Sequence, residues 1–134
     1  KGERSLVIKD QAPVVASNQL QVTMKPLSLV ESKIIFGMDV TTVLPVQIEI
    51  TNPTARSYQV EADQIALLTT SGQRVKPLSE KGGPFPTPAL TSQTVAPKSG
   101  VKGYLYFPPG TYTGGRGSLV EQQSQESEGF AVQF

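Results

Sequence analysis

Apolar and polar residues alternate in several short runs along this chain. Leu20, Val22 and Met24 alternate with Gln21 and Thr23, and Val46, Ile48 and Ile50 alternate with Gln47, Glu49 and Thr51 before Asn52-Pro53 closes the run. Successive strand side chains point to opposite faces, so each run predicts a half-buried strand with aliphatics toward a core. Residues 58–61 and 65–70 predict two more short strands, the second closed by Ser71-Gly72, and Val75 begins another. Residues 101–107 place Lys102, Tyr104 and Tyr106 on one face and Val101, Gly103, Leu105 and Phe107 on the other. The chain finishes with Phe130, Val132 and Phe134 alternating against Ala131 and Gln133. Leu6-Val7-Ile8 near the start reads as an edge strand or a flexible arm.

Eleven prolines and twelve glycines separate these runs. Long helices are excluded at that density, since an interior proline costs ~3 kcal/mol. Only residues 62–68 compete as a helical turn. Residues 79–92, with Gly82-Gly83-Pro84, Pro86 and Pro88, predict one loop. Residues 108–118, with Pro108-Pro109-Gly110 and Gly114-Gly115-Arg116-Gly117, predict another. Residues 121–128 are polar on every face and predict a long exposed hairpin connection. The fold class that follows is all-β: an antiparallel two-sheet sandwich of about seven to eight strands. It forms a single domain over residues 19–134, preceded by an arm over residues 1–18, with no internal repeat.

Composition narrows the chemistry. The 134 residues include no histidine and no cysteine, which removes the commonest general base, the commonest nucleophile–base pairs and most zinc and haem ligation. No catalytic residue, metal ligand or cofactor site is therefore assigned. Charged residues make up 17%, below the roughly 25% of an ordinary domain, so polar surface must come from Ser, Thr, Gln and Asn. The net charge of +1 offers no basic excess for phosphates, and no nucleic-acid partner is expected. No apolar run approaches the ~18 residues of a membrane helix. Lys1-Gly2-Glu3-Arg4 reads as a trimmed N-terminus from which an export signal has been removed.

Several patterns invite a chemical reading. Gly110, Gly115, Arg116 and Ser118 loosely echo a phosphate loop, but Gly117 intrudes and no apolar helix follows; a flexible loop explains them better. Of the acid pairs, Glu61/Asp63 has Asp63 near a turn and Glu126/Glu128 sits in a stretch with almost no apolar cover; a catalytic carboxylate needs burial to move its pKa, so both read as solvated surface acids. Lys98-Ser99 are neighbours, and neighbours along a strand face opposite ways. Tyr104 and Tyr106 share a face with Tyr112 close by in sequence, and exposed phenols could form a platform for a glycan or a partner's backbone. With Phe85 and Arg116 from the two loops, they form the candidate binding set.

The run Pro45-Val46-Gln47-Ile48-Glu49-Ile50-Thr51-Asn52-Pro53-Thr54, followed by Tyr58, Ile65-Ala66-Leu67 and Ser71-Gly72, resembles the middle of bacterial envelope Ig-like domains. Val101-Lys102-Gly103-Tyr104-Leu105-Tyr106-Phe107-Pro108 is similar to their later strand, in which a glycine precedes an aromatic-rich segment ending near proline. The resemblance spans roughly residues 40–110 and implies an Ig-like, telokin-like sandwich of the kind found in exported lipoproteins of unassigned role. The disulfide and buried tryptophan of antibody domains are absent. The expectation is a non-enzymatic module in the periplasm or at the cell surface. It would be lipid-anchored through a removed N-terminal segment and would bind another protein, or alternatively a glycan or peptidoglycan. Residues 79–92 and 108–118 would make the contact.

Overall fold

The computed structural model describes residues 4–80 and 85–134 apart from 10–18, with residues 4–9 described as backbone. Gly82, Gly83 and Pro84 of the first expected loop, and most of the 1–18 arm, lie outside the described residues. Strands are β1 (Arg4–Lys9), β2 (Gln21–Pro26), β3 (Leu44–Asn52), β4 (Tyr58–Val60), β5 (Ala66–Thr69) and β6 (Arg74–Val75). They continue as β7 (Gln93–Val95), β8 (Ser99–Phe107), β9 (Tyr112–Glu121) and β10 (Ser127–Gln133). An α-helix, α1 (Leu29–Phe36), and a 3₁₀ turn (Ala62–Gln64) complete the set.

Two sheets face each other. The small sheet runs β2-β3-β8, all antiparallel. The large sheet runs β1-β10-β9-β4-β7, with β5 and β6 continuing beside the first half of β9. All its pairs are antiparallel except β1, which lies parallel on β10, so part of the arm is an edge strand. The alternating residues meet in the middle. Val22, Met24, Val46, Ile48, Ile50, Leu105 and Phe107 of the small sheet are buried against Tyr58, Val60, Leu67, Val95, Leu119, Phe130 and Val132 of the large one. The all-β sandwich expected from the alternation is the fold observed.

Asn52 ties the two sheets. Its Nδ2 donates to the Arg56, Val95 and Ala96 carbonyls at 2.7, 3.2 and 3.0 Å, while its Oδ1 accepts from the Thr54 amide at 3.0 Å and the Thr54 hydroxyl at 2.6 Å. The residue that closes β3 thereby holds the end of β7, and its own buried amide has both its nitrogen and its oxygen satisfied.

Two expectations are corrected. Residues 112–118 are not loop: they begin β9, the central strand of the large sheet. The glycines there serve close packing. A Cβ on Gly117 would strike the Phe130 ring, and one on Gly115 would strike the Met24 side chain. The second correction is α1, where the alternation predicted no helix. Between β9 and β10, residues 122–126 form a turn held from inside. The buried Glu121 carboxylate accepts from the Gln123 amide at 2.7 Å and the Ser124 amide at 3.1 Å. Those backbone donors hold its pKa below the ordinary carboxylate value against the opposing effect of desolvation.

Candidate functional site

The five candidate residues do not assemble into one exposed site. Tyr106 is fully buried. Its ring stacks on Phe85 at 4.4 Å between centroids, and its hydroxyl shares a 2.7 Å hydrogen bond with the Thr87 hydroxyl. Burial pushes the phenol's pKa up, as expected for a group kept neutral in a core. Tyr104 is half-buried, with Phe36 edge-on at 5.0 Å. Val40 and Val43 complete a second apolar cluster on the outer face of the small sheet, with Leu78 and Ala89 against it. The polar face expected at Tyr104 and Tyr106 is therefore roofed over. The segment expected to reach outward for contact supplies part of that roof, turning Phe85 inward. Leu78 and Leu90 donate their amides to the Tyr106 and Tyr104 carbonyls at 2.7 and 2.8 Å, covering this edge of β8.

Tyr112 packs elsewhere, against the main core, and its hydroxyl donates to the Pro108 carbonyl at 2.6 Å. Arg116 is exposed on β9, on the face opposite Gly115 and Gly117. A saccharide platform of three coplanar exposed tyrosines is not formed. Lys98 and Ser99 are engaged separately: Lys98 Nζ donates to the Pro53 carbonyl at 2.7 Å and Ser99 Oγ to the Ala96 carbonyl at 3.0 Å. Glu61 and Asp63 are exposed. Among the described residues, no group of three or more acidic side chains is placed to hold a metal ion.

The feature the alternation missed is α1. It starts with a capping box: Ser28 Oγ accepts from the Glu31 amide at 3.1 Å, and the Glu31 carboxylate accepts from the Ser28 amide at 2.9 Å. It ends at Gly37, whose φ of 73° is the left-handed conformation glycine adopts without cost. Ser28-x-x-Glu31 followed by Gly37 was a legible helix signal. The helix sits inverted. Toward the protein it turns Ser32, which is buried with its hydroxyl unpaired, and Phe36, which packs on Tyr104. Away from the protein it turns Val30 (69% exposed) and Ile34 (76%), with Leu29, Ile35 and Met38 also open to solvent. These five make up all but one of the large apolar side chains exposed among the described residues; the other is Phe134. Together their exposed area is on the order of 500 Å², spread over the outward Val30/Ile34 stripe and the two flanks of the helix, within the range of apolar surface that is often functional on a monomer.

No protein-family model and no curated protein matches this chain. Among solved structures, the yjhA protein from Bacillus subtilis is similar, with a TM-score of 0.55 and 14% identity over 95% of this chain and 98% of that one. That likeness speaks for the backbone alone: two chains of nearly the same extent share an all-β sandwich-like architecture.

Proposed function

We propose that this protein is a non-enzymatic β-sandwich module that works by protein–protein contact, and that α1 is its contact surface. The observation that carries this reading is the concentration of exposed aliphatic side chains on one capped helix whose serine faces inward. A helix of a monomeric protein normally does the opposite. Val30 and Ile34 stand four residues apart on one stripe, the spacing by which a helix seats its apolar side chains in a partner's groove. The roof beneath suits that role, since Phe36 on Tyr104 anchors the helix to a packed cluster.

Magnitudes set the expected strength. Removing the patch from water is worth ~10 kcal/mol at ~25 cal/mol per Å². Association costs ~4–15 kcal/mol, so the helix alone supports a modest, reversible contact. Charge adds little, because Glu31 pairs with Lys25 at 2.6 Å and Lys33 with Asp39 at 3.7 Å. We assign the module to the Ig-like, telokin-like class and to the bacterial envelope, on the strand pattern over residues 40–110 and the low fraction of charged residues.

Site-specific photo-crosslinking tests the contact. A photoreactive residue at Ile34 is expected to capture a defined protein, and the same residue at Arg116 on the large sheet is not. Equal capture at both positions, or none at either, removes α1 from the role.

A further inference from the structure

We infer that the surface seated on α1 is that of a second copy of this chain, with the two helices packed face to face about a two-fold axis. The inference rests on the reading of α1 as a contact surface and names the partner.

Three observations favour a copy. The first is inversion. A helix that buries Ser32 and exposes Val30, Ile34, Ile35 and Met38 matches the ordinary rule once its outer side also faces a protein interior. In a two-fold contact the same patch serves both partners, so one inverted helix supplies both halves.

The second is area. Val30 and Ile34 on the outward stripe, with Met38 beside them and Leu29 and Ile35 on the flanks, let two copies remove at most on the order of 1,000 Å² from water, the lower bound of a specific interface and the size of a weak, reversible dimer.

The third is charge. Residues 25–39 carry two bases and two acids, and each base is paired within its own chain: Lys25 with Glu31 and Lys33 with Asp39. Two identical surfaces meet without like-charge repulsion when their net charge is zero. A lipid surface would instead call for a helix with a basic polar face.

The test is sedimentation velocity of the full chain across micromolar to sub-millimolar concentrations, at low and high salt. A reversible monomer–dimer equilibrium that barely changes with salt is expected. Ile34→Glu and Val30→Glu should each weaken it at least tenfold, with circular dichroism spectra matching the parent. Because the chain lacks cysteine, Ile34→Cys supplies a single thiol. It should form disulfide-linked dimers on mild oxidation far faster than Arg116→Cys. A parent chain that stays monomeric throughout overturns the inference. Photo-crosslinking from Ile34 to a different protein would then leave α1 standing as a contact surface. A dimer unaffected by both glutamate variants overturns the inference and removes the self-contact from α1.

Discussion

The two sheets treat their outer faces differently. The large sheet leaves polar side chains in water: Thr94 Oγ1 donates to Gln59 Oε1 at 3.1 Å, and Gln122 Nε2 donates to Thr94 Oγ1 at 3.0 Å, all exposed. The small sheet has one end of its outer face, at Tyr104 and Tyr106, roofed by Phe36, Phe85, Val40 and Val43, while Glu49, Thr51 and Lys102 farther along stay exposed. One face is finished by water. The other is finished by protein at one end, and the helix in that roof carries the apolar surface outward again. The contrast teaches that strand alternation reports which residues leave the central core, not whether they reach solvent.

Truncating the side chain beneath the roof should have the largest effect. Tyr106→Ala removes a fully buried ring stacked on Phe85 and is expected to cost ~3–5 kcal/mol in urea unfolding. A cost within ~0.5 kcal/mol would mean that the roof is not a packed layer.

Asn52→Ala comes next. It cuts the tie between β3 and β7 and takes the Asn52 donor from the buried Val95 carbonyl, at an expected cost of ~2–3 kcal/mol. Tyr106→Phe keeps the ring and loses only the bond to Thr87, so ~1 kcal/mol is expected. The ratio of the two Tyr106 variants separates packing from hydrogen bonding in the roof.

The polar side of the molecule should respond to pH. The folded Glu121 carboxyl gives up its proton more readily than the unfolded one. Its contribution is therefore full above the ordinary carboxylate range and is lost as pH falls through the lower folded value. The urea midpoint should fall with acidification below about pH 4.3, and Glu121→Gln should flatten that slope. An unchanged slope would show that the carboxylate does not hold the turn. The smallest effect belongs to the exposed ladder: Thr94→Ala should change stability by ~0.5 kcal/mol or less.

The core strands were legible because their residues carry a two-residue period. Val46, Ile48 and Ile50 behave as the alternation requires, each fully buried. β9 was not legible, because the glycines that let Met24 and Phe130 approach look like those of a loop until their neighbours are known. Tyr106 was misjudged for a related reason. Its enclosure depends on Phe85, Thr87 and Phe36, which are distant in sequence. α1 was partly legible through its caps, but its apolar residues lie on nearly every side, so no one face announced itself as core.

The central claim concerns what the outer side of α1 is for, and Ile34→Glu tests it through two quantities measured on one protein. Measured at a concentration where the parent is monomeric, the unfolding free energy should stay within ~0.5 kcal/mol of the parent, because Ile34 is 76% exposed, while association through the helix at higher concentration is lost. Loss of stability matching the loss of association would contradict the account, and so would association that survives the substitution intact.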